Sequence, residues 1–180
     1  MRVSLAPFTL RDYRGDPAAP SFKDGIRSLL RRVKKIGYEG IEMGTPPGFT
    51  HQEYRDFMDE TGLAVATVGI RPMVLEGEEY AAVMEECVTL GAKNVMVSSM
   101  PNIALGNPYE LDRFIASLNR AGKALRGAGI HLSYHNHAVD FSRVNGKTII
   151  ETILDGTDPA WVSMEPDTHW IQAGGGHVIT

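Results

Sequence analysis

The stretch Ile130-His131-Leu132-Ser133-Tyr134-His135-Asn136-His137-Ala138-Val139-Asp140-Phe141 splits into two faces when read with a period of two. Ile130, Leu132 and Tyr134 fall on one side, and His131, Ser133, His135 and His137 on the other. The apolar side predicts packing. The imidazole-rich side, followed by the carboxylate Asp140, is raw material for a metal or acid/base site. Taken alone, the run reads equally as a strand end with surface histidines. A second run, Trp161-Val162-Ser163-Met164-Glu165-Pro166-Asp167-Thr168-His169-Trp170, repeats the pattern. Val162 and Met164 take one face; Ser163, Glu165 and Asp167 take the other. Two successive strands with polar faces ending in His or Asp point to one shared polar centre.

Outward from these runs the chain alternates. Residues 2–10 read as a first strand, and Ser21 with Asp24 opens a helix carrying Ile26, Leu29, Leu30, Val33 and Ile36 inward until Gly37. Tyr38 to Met43 is a short strand, and Thr50 with Glu53 caps a second helix with Tyr54, Phe57 and Met58 inward. Leu63 to Ile70 reads as a near-continuous apolar strand. A helix from about Gly77 to Leu90, a strand from Asn94 to Ser98 and a helix opened by Asn107, Pro108 and Glu110 follow. After the histidine strand come a helix over Thr148 to Leu154, the strand Trp161 to Glu165 and a flexible tail, Gly174 to Gly176, running into Val178 and Ile179.

Six strands alternating with five helices imply a parallel sheet with right-handed crossovers, closed either as a doubly wound sheet or as a barrel of βα units. The turn after strand one, Arg11-Asp12-Tyr13-Arg14-Gly15-Asp16, lacks the glycine fingerprint of a dinucleotide site, and no Walker-type loop occurs. The polar residues gather instead at the ends of strands five and six, where a barrel enzyme keeps its chemistry.

Bulk properties narrow the partners. Residues 1–180 have length for one ordinary domain, and 43% hydrophobic with 22% charged content is globular. A formal charge of −4 gives no reason to expect nucleic acid or an anionic membrane. The basic cluster Arg31, Arg32, Lys34 and Lys35 ends a helix and complements its dipole. The single cysteine, Cys87, excludes an intrachain disulfide, fits a reducing compartment and reads as a small buried hydrophobe. No secretory leader and no apolar run of ~18 residues is seen. The expected location is the cytoplasm.

At Tyr134-His135-Asn136-His137 with Asp140-Phe141, and at Glu165-Pro166-Asp167-Thr168-His169-Trp170 with Gly174 to Gly176, the chain resembles the xylose isomerase-like TIM-barrel superfamily of sugar-phosphate isomerases and epimerases. Lys35-Ile36-Gly37-Tyr38-Glu39-Gly40-Ile41-Glu42 and Leu90-Gly91-Ala92-Lys93-Asn94-Val95 are also typical of it. The resemblance implies an α/β fold of the (β/α)8 TIM-barrel type, here partial and C-terminally incomplete, with about six strands and five to six helices. Two departures stand out. The family's fifth-strand carboxylate is usually Glu where this chain has Asp140, and family members run through eight strands. Their metal site generally adds a His from strand seven and a Glu from strand eight. Open barrel edges would favour a homo-oligomer.

The resemblance further implies a divalent metal (Mn, Mg, Co or Zn) that holds vicinal oxygens of a sugar or polyol while carboxylates move a proton through an enediolate. Carried over, Asp140 and Asp167 are the metal ligands and catalytic groups, and His135, His137, His169 and Trp170 contact substrate. Asp167 also reads as a helix N-cap before Thr168, and Asp140 as a turn residue before Phe141. Glu165 reads as a hydrogen-bonding group deeper in the strand, Glu42 and Ser98 as pocket lining, and His51 and His177 as exposed. Three classes follow: a metal-dependent isomerase, epimerase or dehydratase; a non-catalytic partial barrel associating with another chain; and an abasic-site nuclease, which the acidic charge disfavours. With two of the usual four ligands, weak metal binding and little turnover are expected of the isolated chain.

Overall fold

The structure, a computed structural model, describes residues 3–77, 80–101 and 107–178. Its contacts cluster into two compact units, Met1–Gly69 with Glu85–Asn94, and Ile70–Met84 with Val95–Thr180.

In the first unit, β1 (Ser4–Leu5), α1 (Phe22–Ile36), β2 (Gly40–Ile41), α2 (His51–Thr61) and β3 (Ala64–Val65) form two βα steps. β2 lies between β1 and β3 in parallel, with Leu5 opposite Ile41 and Ile41 opposite Val65. Gly40 is needed at the centre of this sheet, because a Cβ there would sit 2.8 Å from Ser4 Oγ and 2.9 Å from the Ala64 carbonyl. Ile26, Leu30 and Val33 of α1 and Tyr54, Phe57 and Met58 of α2 cover it and are buried.

Several sequence expectations change here. The strand expected over 2–10 stops at Leu5, since Pro7 opens a 3-10 turn over Pro7–Tyr13; Arg2 lies outside the described residues. Ile36, assigned to the inner stripe of α1, is 74% exposed; the buried arc ends with Val33. The apolar run Leu63 to Ile70 bends into β3 and β4 (Val68–Ile70), with the Ala66 carbonyl between them taken by the Asn94 side-chain amide.

The two expected capping boxes part company. Thr50 is extended (ψ 159°), its hydroxyl accepts from Glu53 N–H, and the Glu53 carboxylate accepts from Thr50 N–H at 2.8 Å. Ser21 has ψ 1° and makes no side-chain cap bond, because the chain enters α1 already turning from Ala19. Thr50→Ala should therefore cost about 1 kcal/mol and Ser21→Ala a few tenths at most, read from urea unfolding midpoints.

Of the helix expected from Gly77 to Leu90, Tyr80–Leu90 is helical (α4), and Pro72–Gly77 before it is helical as well (α3); Glu78 and Glu79 lie outside the described residues. Cys87 is fully buried in α4, and burial, with the charge of Glu86, pushes its thiol up to about 11. It is an inert hydrophobe at neutral pH.

β5 (Asn94–Val97) leads to α5 (Pro108–Gly127), whose N-cap Asn107 accepts from Tyr109 N–H and whose stripe Leu111, Phe114, Leu118 and Leu125 is buried. β6 (His131–His135) follows, then a 3-10 turn over Ala138–Phe141 and a hairpin, β7 (Arg143–Val144) with β8 (Lys147–Thr148). That hairpin was legible in Asn145-Gly146, whose φ angles of 53° and 84° suit a tight turn, but alternation too short to register hid it. α6 (Ile149–Gly156) starts in a formed capping box, Thr148 with Glu151. β9 (Val162–Glu165) ends the ladder, and α7 (Thr168–Ala173) follows it, just before the tail expected from Gly174. Ile179, at the end of that expected tail, is outside the described residues. Among the described residues, the bend between β3 and β4, the hairpin and α7 add elements to those expected. Among the described residues, no helix is long and apolar enough to cross a membrane.

Candidate functional site

β6 lies between β5 and β9. β6 and β9 run parallel with Leu132 opposite Val162, Tyr134 opposite Met164 and His135 opposite Glu165. The period-two reading holds in space. Leu132 and Tyr134 are buried toward α5, where the Tyr134 ring meets Phe114 edge-on at 5.9 Å. On the opposite face Ser133, His135 and Glu165 converge.

Four groups line up there. The Ser133 hydroxyl donates to Glu165 Oε2 at 3.1 Å, Glu165 Oε1 lies 3.4 Å from His135 Nδ1, and His135 Nε2 lies 3.5 Å from Asp167 Oδ2. Glu165 thus plays the hydrogen-bonding role its depth in the strand suggested. It also holds one side of the His135 ring and turns the other nitrogen toward Asp167. Asp167 is the helix cap that one of its sequence readings expected, Oδ1 accepting from Trp170 N–H at 3.0 Å at the start of α7, and its Oδ2 faces His135.

Asp140 sits differently. It is 1% exposed, Oδ1 accepts from the Tyr134 hydroxyl at 3.0 Å, and Oδ2 accepts from His137 N–H at 2.7 Å. Burial pushes its carboxyl above the ordinary range against the pull of these two donors, and burial beside Asp140 drives the Tyr134 phenol strongly upward. Tyr134→Phe should cost about 1–2 kcal/mol by leaving a buried carboxylate oxygen without its donor. Asp140→Asn should cost a similar amount, and denaturant unfolding of the double variant should show less than the sum.

Rings wall the same end. His137 lies 5.2 Å from His135 and 5.5 Å from Trp170, and His169 meets Trp170 edge-on at 4.7 Å, centroid to centroid. Burial, and then the neighbouring His135, lower the His137 pKa against the opposing pull of Asp140 and Asp167. His137 therefore carries a neutral imidazole at neutral pH. His169 is exposed, and Trp170 is half-buried. His131, on the same parity, is not part of the cluster: it opens the strand, is exposed, and lies 2.7 Å from the Arg126 guanidinium through Nδ1.

In the other unit His51 is partly covered, its Nδ1 2.6 Å from Thr45 Oγ1, rather than exposed; His177 is exposed as expected. Two contributors were given no role by the sequence reading. Ser133 was placed on the face of His135, where its bond to Glu165 could have been looked for. Asn136 is fully buried and hydrogen-bonds the backbone of Asp167, which no local pattern announces. Among the described residues, no group of three or more His, Cys, Asp or Glu side chains is placed to hold a metal ion.

Known proteins share this architecture. A curated relative, the inosose dehydratase of Mesomycoplasma hyopneumoniae (strain 7448), is 26% identical over 167 residues, covering 90% of this chain and 51% of the relative. The chain thus spans about half the length of the curated relatives it matches. A crystal structure of a sugar phosphate isomerase/epimerase from Parabacteroides distasonis ATCC 8503 superposes with a TM-score of 0.81 at 23% identity, over 97% of this chain and 68% of that one. An IolI protein with a bound zinc atom gives a TM-score of 0.72 at 14% identity, over 98% and 66%. These likenesses show the fold, an α/β arrangement of the TIM-barrel type. The family model described as xylose isomerase-like TIM barrel matches residues 30–179, and the chain belongs to that family.

Proposed function

We propose that the C-terminal ends of β6 and β9 carry part of a divalent-metal centre that serves proton transfer beside a carbonyl group of a sugar or polyol. The reaction class is that of isomerases and epimerases, with a dehydratase as the alternative that the inosose dehydratase relative suggests. The observation that carries this reading is the pair His135 Nε2 and Asp167 Oδ2, 3.5 Å apart. Two ligands on one tetrahedral ion with bonds of about 2.0–2.1 Å stand roughly that far apart. A nitrogen and a carboxylate oxygen suit Zn, Mn, Co and, less well, Mg. When bound, such an ion polarises the substrate carbonyl.

The chain's own groups do the remaining work. Glu165 fixes the His135 ring, with Ser133 fixing Glu165 in turn. Asp167 is the site's carboxylate. Asp140, a candidate ligand from sequence, passes that role to His135, because both of its oxygens already accept from Tyr134 and His137. Asp140 instead sets the backbone at which the polar strand turns. Trp170 and the neutral His137 offer flat faces against which a sugar's C–H surface stacks.

With two donors from this chain, metal binding should be weak. Titration calorimetry with zinc or manganese should show affinity far below that of a full His/carboxylate set, and His135→Ala should abolish it. Turnover of ketoses, sugar phosphates or inosose-type polyols should be slight at best, because neither metal nor base is held on enough sides. Tight binding that survives His135→Ala would place the metal elsewhere, and robust metal-dependent epimerisation would mean that the donors of this chain suffice for turnover.

A further inference from the structure

We propose that Asn136 is the positioning residue of this site: its side-chain amide stands in for the next rung of the β6–β9 ladder and fixes the backbone of Asp167. The parallel register ends at His135 opposite Glu165. One step on, Pro166 has no N–H to offer, and the main chains no longer pair. The Asn136 side chain continues the pairing. Its Oδ1 accepts from Asp167 N–H at 2.9 Å, and its Nδ2 donates to the Asp167 carbonyl at 3.4 Å. Asn136 is 0% exposed, so its own amide groups are shielded from water, where an unmade bond is costly. No other standard side chain of this length carries both a donor and an acceptor in one plane.

The consequence is geometric. Held at both backbone groups, Asp167 directs one carboxylate oxygen to Trp170 N–H and the other to His135. The two halves of the site therefore share a single fixed point. His135 and Asn136 are adjacent in β6, so the strand that orients the imidazole also sets the carboxylate opposite it. The importance of that fixed point for metal affinity rests on the function proposed above; the clamp itself does not.

Amide hydrogen exchange followed by NMR tests it on the wild-type chain. Asp167 N–H and one Asn136 side-chain proton should be protected about as well as the backbone amides of Met164 and Glu165. Asn136→Ala should lower protection at Asp167 and Trp170 at least about tenfold while leaving the rungs from Val162 to Glu165 within about threefold. Zinc affinity, measured by chelator competition, should fall about 10–100-fold in the same variant. Asn136→Asp keeps the acceptor and loses the donor, so Asp167 N–H should stay protected while the zinc affinity falls. Free exchange at Asp167 in the wild type overturns the clamp without any variant having to fold. Uniform loosening of every β6 and β9 amide by Asn136→Ala overturns it as well, since that is the mark of a packing residue. If wild-type chain binds no zinc at all, the metal reading fails, and the exchange pattern still decides the clamp.

Discussion

Gly122→Ala is expected to destabilise the chain by about 3 kcal/mol, although alanine in a helix interior ordinarily stabilises by roughly 0.5–1 kcal/mol over glycine. Gly122 lies within α5, where the helix meets the start of β9. A Cβ at this position would sit 2.5 Å from the Trp161 carbonyl oxygen and 3.0 Å from a Val162 methyl. The first of these is backbone, held by the Trp161–Val162 entry to the ladder, so it cannot swing aside as a flexible side chain would. Relief requires α5 to lift from β9, and Leu118 and Leu125, both fully buried, would lose their packing with it. Gly127 supplies the control from the same helix. Nothing lies within 4 Å of its added Cβ, so Gly127→Ala should stabilise by about 0.5–1 kcal/mol. Urea unfolding of the two variants should therefore move the midpoint in opposite directions. A stabilised Gly122→Ala would mean that α5 and β9 approach less closely than described.

The second large effect is expected at Asp167, where two roles can be separated by the choice of replacement. Asparagine caps helices as well as aspartate does, so Asp167→Asn should keep α7 and leave stability within a few tenths of a kcal/mol. It removes the negative charge facing His135 Nε2, however. Metal affinity should fall at least about 100-fold, beyond the roughly 10–100-fold attached to losing an outer partner. Asp167→Ala loses both roles: metal binding should vanish, and about 1 kcal/mol of stability should go with the cap. Calorimetric metal titration and denaturant unfolding on the same two proteins separate the contributions. Unchanged metal binding in Asp167→Asn would leave Asp167 as a helix cap and nothing more.

What was readable in the linear chain was whatever depends on neighbours a few residues apart. The alternation of Leu132 and Tyr134 against Ser133 and His135 is a property of extended backbone, and it survived folding intact. The same holds for the cap of α2 by Thr50 and the stop of α1 at Gly37, whose φ of 115° suits glycine. Matching parity in the two polar runs also brought His135 and Glu165 to the same rung, since parallel strands joined by a helix present like faces to like. The cap of α7 by Asp167 was likewise available from its place just before Thr168.

The tertiary structure decided which polar atoms remain available for chemistry. Asp140 and Asp167 looked alike as candidates, each a carboxylate just past a strand. Folding buried Asp140 against Tyr134 and the His137 backbone and left Asp167 with an oxygen toward His135. That difference depends on where the chain turns after β6, and a turn's direction is set by packing rather than by the residues inside it. For the same reason His131 shares a parity with His135 and yet stands outside the cluster, beside Arg126. Asn136 shows the limit most plainly. Its partner lies 31 residues away, and its two hydrogen bonds exist only because β6 and β9 lie side by side and stop pairing one residue short of it. Periodicity reports which way a side chain points; only the assembled sheet determines what it meets there.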